Sequence, residues 1–223
     1  LQGGRDVDFM MNFLETLGTI AFAVSGAIEA MKKQMDLLGV IVLGMVTAIG
    51  GGVIRDIVTG EIPPIAFQNP TQAKVAIVVS IVVFFLAMFL TRHDILTNVS
   101  WANAVLFISD AMGLAAFTIL GIRFVQERIG NDNFALLLFV GVITGVGGGL
   151  LRDIFAGNVP YIFRKHIYAT ASIFGALMYL WLDKILSELW AVFFSMVCII
   201  VVRILASHFK WNLPRVEILE KAK

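Results

Sequence analysis

The heptapeptide Gly50-Gly51-Gly52-Val53-Ile54-Arg55-Asp56 returns as Gly147-Gly148-Gly149-Leu150-Leu151-Arg152-Asp153, each time inside an apolar stretch long enough to cross a bilayer. Glycine costs a helix roughly 1 kcal/mol relative to alanine, and a charge at mid-membrane depth costs roughly 2.5–3.5 kcal/mol more. Two such insertions in a 223-residue chain call for a compensating role. A route for something polar is the economical one. The bilayer setting follows from composition: 59% of residues are hydrophobic, 15% are charged and mean hydropathy is +0.89, values of a polytopic membrane protein.

Apolar windows of about 20 residues fall at about 12–31, 37–59, 73–91, 101–123, 134–155, 166–183 and 189–206. Seven transmembrane helices are therefore expected, in an all-α integral membrane protein. Lys32-Lys33, Pro63-Pro64, Asn69-Pro70, Arg92-His93-Asp94, Pro160 and Asp183-Lys184 punctuate them. Residues 1–10 read as an appended remnant or disordered leader, 11–209 as one transmembrane domain and 210–223 as a tail. With the N-terminus outside, Lys32, Lys33, Arg92, Arg164, Lys165, Lys210, Arg215, Lys221 and Lys223 fall inside, against Arg5, Arg123, Arg128 and Lys184 outside. This bias predicts a cytoplasmic C-terminus.

The repeat extends beyond the glycines. Thr47 aligns with Thr144, Gly60 with Gly157 and Pro63 with Pro160 at an offset of 97 (147 − 50), while Gly18, Ala21, Phe22 and Gly26 align with Gly113, Ala116, Phe117 and Gly121 at 95 (113 − 18). Spans 1–3 (about 12–91) and 4–6 (about 101–183) are thus copies. Each copy contains three crossings, so the second enters the membrane from the opposite side and span 7 (about 189–206) stands alone.

Unwound backbone at membrane depth survives only where protein buries it or a wet cavity solvates it. Three successive glycines predict an unwound or kinked span 2 and span 5. Such a break frees carbonyls near Ala48, Ile49, Gly145 and Val146 for a monovalent cation, and N–H groups near Val53 and Leu150 for an anionic group. The competing reading is close packing, since Gly141, Gly145 and Gly149 have GxxxG spacing and Ala48 and Gly52 are small residues at the same interval. Adjacent residues on a helix do not face each other, so the symmetry predicts that Arg55 pairs with Asp153 and Arg152 with Asp56; snorkelling of each charge to an interface is the alternative.

Glu15 and Asp110 precede the aligned Gly18 and Gly113 by equal intervals, which places a carboxylate near the start of each copy, on a cation path or at an interface. Lys74 and Arg123, at span ends, read as anchors or as gating charges. Arg203 reads as a snorkelling residue, and Tyr161, Tyr168, Trp181, Trp190 and Trp211 as an aromatic belt. A net charge of +1 gives no electrostatic footprint for nucleic acid. The glycine runs lack the Lys-Ser/Thr of a phosphate loop and the GxGxxG pattern of a dinucleotide site. No metal-ligand spacing, catalytic triad or cofactor motif appears, so a non-enzyme without cofactor is expected. The lone Cys198, inside an apolar run, reads as packing.

The doubled Gly-Gly-Gly-x-x-Arg-Asp motif, continued by Thr59-Gly60-Glu61-Ile62-Pro63-Pro64 and Ala156-Gly157-Asn158-Val159-Pro160-Tyr161, resembles the prokaryotic branch of the trimeric intracellular cation (TRIC) channels from about Met11 to Phe209. The resemblance implies a homotrimer in the prokaryotic inner membrane, each protomer conducting monovalent cations, chiefly potassium, along its own pore among membrane lipids. Thr47, Thr144, the glycine motifs and the acidic residues would form that path. Animal members bind a phosphoinositide through Lys-Glu-Val in the second span, which has no counterpart here. Bacterial relatives are also regarded as transporters of small amino acids such as glycine, so a carrier that uses the same breaks as a midplane site stays open beside the channel.

Overall fold

The structure, a computed structural model, describes residues 2–93, 99–164 and 167–211. Helices α1 (Gln2–Lys32), α2 (Leu37–Thr59) and α4 (Thr71–Arg92) form the first repeat, with the four-residue α3 (Ile65–Gln68) between the last two. Helices α5 (Val99–Arg128), α6 (Phe134–Phe155) and α8 (Ala169–Leu182) form the second, with α7 (Tyr161–Arg164) at the matching place, and α9 (Glu188–His208) follows. Six of these are long and apolar enough to cross a membrane, and α8 is a shorter apolar helix of 14 residues, about 21 Å of rise. Each of the seven expected spans overlaps one of them.

Local chemistry fixes the ends. The Asp36 carboxylate accepts from the Gly39 N–H at 2.8 Å and caps α2; Asn133 does the same for α6 through the Leu136 N–H at 3.0 Å. Gly60, in the left-handed region at φ 81°, ends α2, and Gly157 takes the same hand after α6 at φ 69°. α1 is helical from Gln2, where the sequence suggested an appended remnant or disordered leader, because an existing helix extends at one hydrogen bond per residue fixed. The tail from residue 212 lies outside the described residues.

Hydrophobic burial drives nothing between helices already in lipid, so close backbone approach has to hold them together. α1 packs against α5 and α2 against α6, with α4 covering one side of the pair and α8 and α9 the other. Phe22 and Phe117, partners in the repeat, stack with centroids 5.3 Å apart on the pseudo-twofold axis. The contacts around them are equally symmetric. Gly18 lies against Phe117 and Gly113 against Phe22, while Gly26 lies against the Thr47 hydroxyl and Gly121 against that of Thr144.

The expected unwinding is absent: residues 37–59 and 134–155 are continuously helical through both glycine triplets. Instead the glycines form the crossing of α2 and α6. A Cβ on Gly51 would run into the Thr144 carbonyl oxygen, one on Gly148 into that of Thr47, and one on Gly147 would come within 3.0 Å of the Gly51 Cα. The carbonyls near Ala48, Ile49, Gly145 and Val146 therefore belong to intact helices rather than to broken ends. Close packing, the competing reading of the glycines, is the one these helices display.

Candidate functional site

The two Arg-Asp pairs do not cross the symmetry axis. Arg55 Nε donates to Asp56 Oδ1 at 2.9 Å and its Nη2 lies 2.7 Å from the same oxygen; Arg152 engages Asp153 in the same way at 2.9 and 2.8 Å. The expected Arg55–Asp153 and Arg152–Asp56 pairing is thus replaced by pairing within each motif. A long arginine stem can curl back to its neighbour, and the neighbour is held there by its other oxygen. Asp56 Oδ2 accepts the Ile65 N–H at 2.8 Å, and Asp153 Oδ2 accepts the Tyr161 N–H at 2.8 Å. Each aspartate thereby ties the end of its long helix to the first residue of α3 or α7, satisfying an N–H that helix geometry leaves over. Nor do the arginines snorkel: Arg152 is fully buried, and Arg55 lies over the Phe124 ring at 4.1 Å.

From here the repeats diverge. In the second, Arg152 Nη1 donates to Asp110 Oδ1 at 2.6 Å and also to the Ser25 hydroxyl. The Tyr168 hydroxyl donates to the same carboxylate at 3.1 Å, and Arg203 Nη2 from α9 lies 3.0 Å from Asp110 Oδ2. With every group ionised, Asp110, Asp153, Arg152 and Arg203 sum to zero. Such a group is tolerable in a low-dielectric interior because each charge faces an opposite one within ion-pair distance. Arg203, expected to snorkel, is instead only 4% exposed and stacks over Tyr168 at 4.4 Å, because a carboxylate waits within reach inside the bundle. Tyr168, expected in the aromatic belt, is buried for the same reason, whereas Trp181, Trp190 and Trp211 are exposed. Sequence reading did not assign Arg203 and Tyr168 to the Asp110 cluster; the available signal was a span carboxylate with no cation assigned to it.

In the first repeat the equivalent carboxylate, Glu15, has no ion pair among the described residues. It borders a cavity of about 310 Å³ with Thr19, Arg55, Asp56, Asn69 and Gln72, whose far wall is Ala48, Ile49 and Gly52 of the glycine motif and Phe117. A second space of about 200 Å³ shares Glu15, Arg55 and Phe117 and continues past Arg123 and Glu127. Arg123 is paired there with Glu127 at 2.9 Å and Glu188 at 2.7 Å, while Lys74 is exposed at the start of α4. A third cavity, about 320 Å³, lies at the other end of the bundle between Phe107, Tyr168, Arg203, Ser207, Lys210 and Trp211. Because successive spans alternate in direction, the starts of α1 and α4 and the end of α2 share one membrane face, and the starts of α5 and α8 and the end of α9 share the other. The Glu15 cavity ends at the α2–α6 crossing, where Thr47 and Thr144 are buried with their hydroxyls turned back onto the carbonyls of Leu43 and Val140 at 2.6 Å.

Comparison with known proteins places this architecture. The family model described as Glycine transporter matches residues 12–88 and 107–184. The chain is 37% identical over 203 residues to the UPF0126 membrane protein YvgT of Bacillus subtilis, covering 90% of this chain and 94% of that one. It is 39% identical over 170 residues to the UPF0126 inner membrane protein YadS of Escherichia coli K12, covering 76% and 77%. Among solved structures it resembles a chain from a study of conductance through TRIC cation channels (TM-score 0.76, 38% identity, 94% and 98% covered). It also resembles a prokaryotic TRIC channel crystallised in 0.5 M KCl (TM-score 0.81, 29% identity, 92% and 99% covered). The TRIC trimeric intracellular cation channel orthologue from Rhodobacter sphaeroides is similar as well (TM-score 0.80, 29% identity, 91% and 99% covered). Seven apolar helices, six of them in two inverted repeats, the doubled glycine motif and these relatives agree, and the chain belongs to the prokaryotic TRIC family of UPF0126 membrane proteins, the family whose model is described as Glycine transporter.

Proposed function

We propose that the protein is a channel for monovalent cations, chiefly potassium, with a separate path through each protomer of a homotrimer. The observation that carries this reading is the polar cavity holding Glu15, Arg55 and Asp56, which reaches from one membrane face to Ala48, Ile49 and Gly52 at the α2–α6 crossing. The Arg203 cavity lies at the other end of the bundle, bounded by residues of α5 and α9 and those preceding α8. Gly50, Gly51, Gly52, Gly147, Gly148 and Gly149 with Thr47 and Thr144 then form the constriction, and in this conformation helix contact shuts it. Arg55–Asp56 and Arg152–Asp153 hold the ends of α2 and α6. Asp110 acts through its ion cluster, and Arg123 and Lys74 respond to potential. The N-terminus lies outside and the C-terminus in the cytoplasm, as the basic residues favour.

The description of the matching family supports a carrier of glycine as the second reading. Planar-bilayer recording of the purified protein in asymmetric potassium chloride, with Gly148→Leu as control, separates the two. Discrete steps that reverse near the potassium potential and change in the variant are expected. Silence in several lipids together with labelled-glycine counterflow would replace the channel with the carrier.

A further inference from the structure

We infer that Glu15, Thr19 and Gln72 form a saturable binding site for a dehydrated monovalent metal cation, in the position that Arg203 fills on the other repeat. The inference rests on the cation reading above but concerns binding, which is measured apart from conduction.

Thr19 is the first observation. Of the fully buried threonines among the described residues, Thr47, Thr118 and Thr144 each turn the hydroxyl onto the carbonyl four residues earlier, at 2.6, 2.7 and 2.6 Å. Thr19 is equally buried, yet its Oγ1 has no partner. It borders the Glu15 cavity one helical turn beyond the carboxylate. Gln72 Oε1, from α4 on the same cavity, is also buried and unpartnered, although the Gln72 side chain interacts with Glu15. A buried acceptor left without a partner is costly, so two in one cavity beside a carboxylate point to a ligand that supplies positive charge.

The second observation is the broken symmetry. Gln72 and Tyr168 stand at equivalent places: both lie 96 residues apart (168 − 72), the offset of Ile65 and Tyr161 (161 − 65), whose N–H groups bind the motif aspartates. Each touches the carboxylate of its own repeat. What the first repeat lacks is Arg203. With every group ionised, Glu15, Asp56 and Arg55 leave a net charge of −1, whereas the Asp110 cluster is neutral because α9 contributes a cation to Asp110 Oδ2. A bound monovalent ion balances the first repeat as Arg203 balances the second. One carboxylate with neutral oxygens suits a monovalent ion; calcium takes six to eight oxygens and commonly several carboxylates.

The test is thermal unfolding of the full chain in detergent at constant ionic strength, titrating potassium, sodium or rubidium against N-methylglucamine. Saturable stabilisation by the alkali ions is expected. Glu15→Gln and Thr19→Val should raise the half-saturating concentration by about tenfold or more, equivalent to ~1.4 kcal/mol. Gln72→Lys, which tethers an ammonium beside Glu15, should fold as stably as the potassium-bound protein and ignore potassium. Equal stability of the unsubstituted protein in all four cations overturns the site, as does full potassium response in Glu15→Gln. Stabilisation by glycine but not by potassium overturns it in favour of an organic ammonium ligand. Ion binding without bilayer currents sinks the channel and leaves the site; currents without saturable binding do the reverse.

Discussion

Replacing Asp110 by asparagine removes one of two negative charges that hold Arg152 and Arg203 in the bundle interior. Both arginines are almost wholly buried, at 0% and 4% exposure, so the lost charge is not screened by solvent. Breaking a buried pair from one side costs about 3–5 kcal/mol, because an uncompensated ion is left behind. Arg203→Gln leaves the opposite imbalance, Asp110 and Asp153 facing Arg152 alone, and should cost a similar amount. The double variant restores a neutral cluster of Arg152 and Asp153, which are joined at 2.8 Å. It should therefore recover most of the loss, with a coupling energy of roughly 3 kcal/mol, near the upper end seen for residues in one ion network. At about 2–4 °C per kcal/mol for a chain of this size, each single variant should melt on the order of 6–20 °C lower in the same detergent. A double variant no more stable than the weaker single would refute charge balance as the reason Arg203 is buried.

Gly51→Ala and Gly148→Ala should each destabilise by about 1–3 kcal/mol, despite alanine's better helix propensity, because the added Cβ meets the backbone of the facing helix. Gly52→Ala, whose Cβ would find only the end of Arg55 at 3.9 Å, should be neutral or stabilise by up to about 1 kcal/mol; urea or thermal unfolding of the three variants checks the contrast. Asp56→Ala should release the Ile65 N–H, raising its hydrogen-exchange rate and costing about 1.5–3 kcal/mol for the lost charged hydrogen bond. Protection of Ile65 unchanged in that variant would mean the aspartate does not tether α3.

Much of the bundle is legible in the chain because the bilayer imposes a length and an apolar composition on every span, and those are properties of a single segment. The repeat too is a one-dimensional signal: offsets of 97 and 95 identify equivalent residues, and three crossings per copy require inversion. The acidic residues at 15 and 110 and the charges at 55, 56, 152 and 153 could be picked out because charge in a span is costly.

Which partner each charge takes is a different kind of fact. Arg55 reaches Asp56 rather than Asp153 because the Ile65 N–H fixes the aspartate and the arginine stem can bend back, a geometry that spacing on an ideal helix does not reveal. The glycines could be read as a break or as a seam, and only the approach of the Thr47 and Thr144 carbonyls to Gly148 and Gly51 decides between them. Equivalence of Glu15 and Asp110 was visible in the sequence, but their difference was not. It arises from Arg203, which is 93 residues from Asp110 (203 − 110) and arrives on a helix outside the repeat. The sequence by itself determined the membrane-spanning segments and their twofold plan, since these follow from local hydropathy and repetition; tertiary packing alone decided which repeat is neutralised and which is left with an open carboxylate, because electrostatic pairing acts through space at about 3 Å and takes no account of position along the chain.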